Sequence, residues 1–198
     1  MPDNPLNVLC VVGSLNGTSV TRVVIANVAE QLRAAGCAVD VLDLSQERLP
    51  LYDPDTAEDQ PHFGPLQARV ARADVFVLGS PDYHGSISSA MKNFLDHFWH
   101  EFAGKLFCPV VASHEKGLTV IDQLRTVARQ CYAWALPYGV SFMDKADVAN
   151  GQIVSDSLKK RVTMLVRDAR VYGSALTAQR HADLAGNDPG FMERLRKK

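Results

Sequence analysis

Apolar runs of strand length alternate along the chain with helix-length amphipathic segments, the order that a parallel sheet requires. The first run, Leu6-Asn7-Val8-Leu9-Cys10-Val11-Val12, is nearly continuous and rich in β-branched residues, as expected of a strand covered on both faces. Behind it Val24, Val28 and Leu32 recur at four-residue spacing beside Ile25 and Ala29, which predicts a helix, and Gly36 supplies the left-handed residue that ends it. Four further strands are read at residues 39–42, 75–80, 108–112 and 138–142, with helices over 65–73, 89–98 and 118–134. Leu158, Val162, Leu165, Val166, Ala169 and Tyr172 mark a long closing helix. Residues 43–64, with Pro50, Pro54 and Pro61, fit no regular element, and irregular connections of that length commonly act as lids or partner contacts.

Five parallel strands joined by right-handed crossovers wind as two helical layers around one sheet, an α/β three-layer sandwich whose economical order is 2-1-3-4-5. In that order the direction of winding reverses between the first and third strands, and a crevice opens there at their carboxyl ends. A ligand site would therefore be built from the loops after the first, third and fourth strands.

Those loops carry the unusual chemistry. The first reads Gly13-Ser14-Leu15-Asn16-Gly17-Thr18-Ser19-Val20-Thr21 and runs into the start of a helix, where free N–H groups and the helix dipole attract an anion. Ser14, Thr18, Ser19 and Thr21 add hydroxyl donors suited to the several oxygens of a terminal phosphate. The dinucleotide Gly-x-Gly-x-x-Gly spacing is not met by Gly13 and Gly17, and the Gly-Lys-Ser/Thr of a triphosphate loop is absent. Helix capping alone would also account for these hydroxyls. The second loop, Pro81-Asp82-Tyr83-His84-Gly85-Ser86, offers an aromatic ring and an imidazole to flank a flat ring system; its bland reading is a Pro-Asp turn with Gly85 at positive φ. The third, Ser113-His114-Glu115-Lys116-Gly117, is polar where a buried strand ends, as a solvated turn would also be.

Two other constellations carry less. His97, His100 and Glu101 share one helical stretch, but Phe94, Leu95, Phe98, Trp99 and Phe102 around them read as an aromatic packing or dimer surface, and no metal site is expected. A nucleophile reading of Ser14 with His84 lacks a Gly-x-Ser-x-Gly turn.

At 198 residues the chain is one core's worth of protein, read here as a domain over residues 1–178 and a C-terminal tail over 179–198. A formal net charge of −1 argues against nucleic acid, since the one basic cluster is Arg194, Arg196, Lys197 and Lys198, a solvated end. The N-terminal apolar run is too short for a membrane span and lacks the basic flank of a signal peptide, so no membrane and a cytoplasmic location are expected. Cys10, Cys37, Cys108 and Cys131 show no paired or metal-ligand spacing and read as reduced structural thiols.

Taken together these motifs resemble the NADPH-dependent FMN reductase family, a flavodoxin-like group that includes quinone, azo-dye and chromate reductases and the ArsH-type flavoproteins. The family's first loop, Gly-Ser-x-Arg-x-x-Ser-x-Asn/Thr, is matched by Gly13, Ser14, Ser19 and Thr21, with Asn16 in place of the arginine. Its Pro-Glu-Tyr-x-x-Ser motif, followed by Leu-Lys-Asn and Asp, is matched by Pro81-Asp82-Tyr83-His84-Gly85-Ser86, then Met91-Lys92-Asn93 and Asp96. Likeness extends over residues 6–178 and includes Leu49-Pro50-Leu51-Tyr52-Asp53 after the second strand. The resemblance implies that the first loop holds the FMN phosphate, that residues 81–86 lie along the isoalloxazine, and that the protein is a homodimer or homotetramer. Family members often carry glycine-rich sequence where this chain has His114-Glu115-Lys116, which puts charge at the acceptor or nicotinamide site.

The expected activity is that of an oxidoreductase: NADPH or NADH delivers hydride to bound FMN, which then reduces a small acceptor such as a quinone, an azo compound, a metal ion or free flavin. No obligatory side-chain acid is expected, and Lys116 is the one candidate for stabilising charge on the reduced ring. An electron carrier on the same fold, without enzymatic activity, is the alternative; such carriers use a strongly acidic docking face, which a net charge of −1 does not suggest. A phosphate-ligand sensor with no redox role is a third.

Overall fold

A computed structural model describes residues 5–196. At its centre lie three long parallel strands, β1 (Asn7–Val12), β3 (Val75–Tyr83) and β5 (Leu106–Ala112), flanked by β2 (Ala38–Asp43) on one side. The order is β2-β1-β3-β5, followed by β6 (Trp134–Ala135) and β7 (Val140–Phe142), both of which pair parallel with β5. This is the expected 2-1-3-4-5 winding of a flavodoxin-like fold, with its last position divided. Trp134 and Ala135 pair with Leu106 and Phe107, Val140 to Phe142 pair with Val110 to Ala112, and Pro137 breaks the ladder between them.

Each helix sits where its apolar stripe finds the sheet. On one face α1 (Val20–Ala34) and α5 (Asp156–Ala185) share a core in which Val24, Ile25, Val28, Leu158, Val162 and Leu165 pack against Val8, Cys10 and Val77. On the other, α2 (Phe63–Arg72), α3 (Ser89–Asp96) and α4 (Leu118–Gln130) bury Leu66, Phe94 and Leu124 against Leu9, Phe76 and Phe107. Phe94, Phe98 and Phe102 belong to this core, which resolves the aromatic stretch as packing, while Trp99 remains exposed. Of the neighbouring polar residues, His97 is buried against the Asn93 carbonyl, His100 stacks on Trp99, and Glu101 accepts from Gln67, so the three turn to different partners.

Several expected boundaries move. Helix α4 stops at Gln130 rather than at residue 134, because Tyr132 takes φ 56° and turns the chain into β6. Closing helix α5 runs 30 residues, so residue 178 falls inside a helix. Beyond it Met192 is buried, Phe191 stacks on Tyr132, and Arg196 donates to the Asp183 and Asp188 carbonyls. Arg196 therefore folds back on the domain instead of standing in solvent; Lys197 and Lys198 of the basic cluster lie outside the described residues.

All four cysteines are free thiols buried in the core. Burial pushes the Cys10 thiol up to about 12 and the Cys131 thiol up to about 11, and raises Cys37 and Cys108 as well. None is a ready thiolate. Among the described residues no helix is long and apolar enough to cross a membrane.

Candidate functional site

The carboxyl ends of β1, β3 and β5 are tied into one unit by short polar links. Gly13 N–H donates to the Gly79 carbonyl at 2.7 Å, and a Cβ on Gly13 would stand 2.8 Å from that oxygen. Only glycine permits so close an approach of two strands' ends. Ser88, the N-cap of α3, donates through Oγ to the Gly13 carbonyl at 2.6 Å and accepts from Met91 N–H, while its own N–H donates to Ser80 Oγ at 3.0 Å. All these groups are buried, so each link is costly to break.

From this base the first loop climbs into α1. Ser19 is its N-cap and accepts from Arg22 N–H. Other N–H groups of the first turn have no partner inside the helix, and no acidic side chain stands there. Asn16, at the family's arginine position, turns its amide oxygen onto the loop itself, accepting from Thr18 N–H at 3.0 Å and Thr18 Oγ1 at 3.1 Å. The cation that braces this loop comes instead from Arg22. Its guanidinium donates to the Asn16 and Gly17 carbonyls at 3.0 Å each, to Asp43 at 2.5 Å and to Ser45 Oγ at 2.7 Å. Burial works to raise the Asp43 carboxyl, but hydrogen bonds from Arg22 and Ser45 outweigh it and hold the group below the usual carboxylate range. No local pattern marks Arg22, because its side-chain partners Asp43 and Ser45 lie 21 and 23 residues away.

The second loop has Gly85 at positive φ, as a Pro-Asp turn would, but it is a hairpin rather than a plain turn. Strand β3 continues through Tyr83 and pairs antiparallel with β4 (Ser86–Ile87), leaving His84 at φ 57° and Gly85 at φ 76° as a two-residue hairpin turn. Asp82 locks this hairpin, accepting from Gly85 N–H at 2.8 Å and from Ser113 Oγ of the third loop at 2.7 Å. Gln123 of α4 accepts from Ser86 Oγ and Ile87 N–H and donates to the Gly85 carbonyl. In the third loop Glu115 N–H donates to Ser113 Oγ, and Lys116 and Gly117 both take left-handed backbone, at φ 60° and 62°. Asn93 joins the remaining motif to the site: it accepts from Tyr52 N–H at 2.7 Å and donates to the Pro50 carbonyl at 2.8 Å, pinning the long connection against α3.

Two adjoining cavities open between the loops. The first, about 240 Å³, is walled by Ser14, Asn16, Thr18, Ser19 and Thr21 of the first loop, by Pro81, Asp82 and Tyr83, and by Ser113 and His114. The second, about 430 Å³, shares Asp82, Ser113 and His114 and adds His84, Gly85 and Glu115. Of the residues predicted for the site, only Ser86, Lys116 and Gly117 line neither. Ser86 is spent on Gln123, and Gly117 packs so closely that a Cβ would stand 2.6 Å from Val111. Lys116, the candidate for a charge-stabilising role, is exposed beside the second cavity and is not among its lining residues. Asp144, Leu118 and Thr119 also line the cavities and carry no motif that would mark them in advance.

The first cavity fits the polar end of a phosphorylated cofactor. Ser14, Ser19 and Thr21 are 2%, 7% and 1% exposed, and they converge at a helix N-terminus free of acidic side chains. Half-exposed Tyr83 borders the opening as a flat apolar surface.

Residues 6–147 match the family described as NADPH-dependent FMN reductase. This chain belongs to that family. An NADPH azoreductase of Bacillus sp. (strain OY1-2) is 30% identical over 168 residues, 81% of this chain and 90% of its own. The NADPH-dependent FMN reductase ArsH of Shigella flexneri is 29% identical over 140 residues, 67% of this chain and 54% of its own. Solved structures share the fold at lower identity. An NADH:FMN oxidoreductase in its apo form superposes with a TM-score of 0.70 at 16% identity, covering 84% of this chain and 89% of its own. A flavoenzyme NAD(P)H:(acceptor) oxidoreductase of Paracoccus denitrificans does so with 0.67 at 19%, covering 86% and 98%. Membership makes this an FMN-dependent oxidoreductase drawing on NAD(P)H, and it places the chain with reductases rather than with non-enzymatic carriers or phosphate sensors.

Proposed function

We propose that FMN is held with its phosphate against Ser14, Ser19, Thr21 and the first turn of α1, and its ring along Pro81 to Tyr83. The observation that carries this reading is the convergence of three buried hydroxyls at an acid-free helix start. Bound FMN supplies two-electron chemistry between a nicotinamide donor and a small acceptor. The chain's own work is positional. Arg22 braces the loop that meets the phosphate, Asp82 fixes the hairpin against the third loop, and the buried links around Ser88 keep both loops in register. Rigid walls of this kind turn a chance encounter of donor and ring into an oriented one.

The acceptor is a small molecule of the quinone, azo, metal-ion or free-flavin type. Buried, unreactive thiols support action in the reducing cytoplasm. Exposed aromatics Trp99, Tyr132, Trp134 and Phe191 support assembly as a homodimer or homotetramer. Anaerobic addition of NADPH, and separately NADH, to the FMN-loaded protein tests the function. Bleaching of the flavin's visible band within the mixing time of a stopped-flow instrument is expected with at least one donor; a band that persists with both would overturn it.

A further inference from the structure

A third cavity, of about 570 Å³, opens at the opposite end of the sheet. Trp134 and Ala135 in its wall pair with Leu106 and Phe107 at the amino end of β5, whereas the two cavities above lie at the carboxyl ends of the strands. One wall is the later half of α4, where Arg125 and Arg129 stand four residues apart on one helix face with Asp122 beside them. The other wall is aromatic. Tyr132 and Phe191 stack with ring centroids 6.1 Å apart, Trp134 meets Phe191 edge-on at 6.4 Å, and all three rings are half-exposed. Phe191 comes from the segment after α5, so part of this wall lies outside the family match.

Charge in this lining is unbalanced. Among the described residues Arg129 has no carboxylate within 4.0 Å, and Arg125 has only the solvent-exposed Asp122, at 3.5 Å. Two guanidiniums that share one loosely held carboxylate, set against aromatic faces, suit a flat molecule with a negative charge. The rings cover its apolar body, and the planar donors of arginine match an oxyanion group. The volume admits a bicyclic ring system. A second copy of this chain packed symmetrically over the cavity would double the positive surplus rather than relieve it. Trp99, exposed and outside this lining, stays available to contacts between copies. We infer that this cavity binds an aromatic anion, a planar carboxylate or sulfonate, at a site separate from the flavin, with Arg125 and Arg129 holding the acid group and Phe191 covering the ring.

Equilibrium dialysis of 2-naphthalenesulfonate, 2-naphthalenemethanol and (2-naphthylmethyl)trimethylammonium against the FMN-loaded protein tests this. The sulfonate should saturate at one per chain and bind about tenfold more tightly than the alcohol, with the ammonium compound weakest. That advantage should shrink at high salt. Arg125→Gln and Arg129→Gln should each remove most of it without lowering the alcohol's affinity, whereas Phe191→Ala should weaken all three compounds. These positions are exposed, so the variants should fold as the parent does. The flavin's visible band should stay unmoved as the sulfonate binds. Three equal affinities, a sulfonate affinity that survives both arginine substitutions together, or a flavin band that shifts in step with occupancy would overturn the inference. Absence of sulfonate binding would also overturn it, and loss of assembly by the double arginine variant in sedimentation would then mark the cavity as a contact between copies. A chain that retains no FMN sinks the proposed function alone, because dialysis of the arginine variants decides this inference without flavin.

Discussion

Gly79 shows how much of the site depends on a single missing side chain. A Cβ there would stand 2.5 Å from Ile25 Cγ1 and 3.0 Å from Thr21 Cγ2, and those two residues are respectively the buried anchor of α1 and one of the hydroxyls of the first cavity. Gly79→Ala must therefore push the start of α1 outward. The expected cost is about 1–3 kcal/mol, read as a lowered melting temperature, together with weaker retention of FMN. An unchanged melting temperature would mean that α1 yields freely. At this scale the sequence was most legible where chemistry is local. Ser14, Ser19 and Thr21 could be read as a phosphate-binding cluster because loop, cap and helix start are contiguous. Gly79 could not, because its neighbour Ile25 meets it only once β1, α1 and β3 are packed together.

At the scale of elements the alternation of strands and helices was readable from period alone, since buried parallel strands are continuous apolar runs and each helix shows one apolar stripe. The hairpin was not. Pro81 reads as a breaker, yet it sits two residues beyond Gly79, where the β1 ladder ends, so its missing N–H is needed by no partner on that side while β5 still pairs with it at Ala112. The divided final strand was equally hidden, because Trp134–Ala135 is too short to show a period. Arg22 ties elements together, joining α1, the first loop and the end of β2. Its largely buried pair with Asp43 is more than a surface contact, and removing Arg22 leaves the Asp43 carboxylate poorly matched. Arg22→Met should weaken FMN binding about tenfold while the far-UV circular dichroism stays that of the parent. Equilibrium dialysis with FMN checks it, and parental affinity would show that the loop holds its shape unaided.

For the molecule as a whole, winding order decides where chemistry can occur. The reversal between β1 and β3 brings three loops, distant in sequence, to one end of the sheet, and two cavities open there. Net charge says little at this scale: in a chain with a formal charge of −1, the described residues that line the two cavities include no lysine or arginine. Composition could not reveal that, because it depends on which residues the winding brings to the cavity walls. The central claim, that a terminal phosphate is anchored by the hydroxyls and first-turn N–H groups of α1, is tested most directly by comparing FMN with riboflavin, which has the same ring and no phosphate, in parallel fluorescence titrations of the flavin-free chain. FMN should saturate at one per chain and bind at least about a hundredfold more tightly than riboflavin, the contribution expected of several charge-assisted hydrogen bonds. Equal affinities for the two would contradict the account.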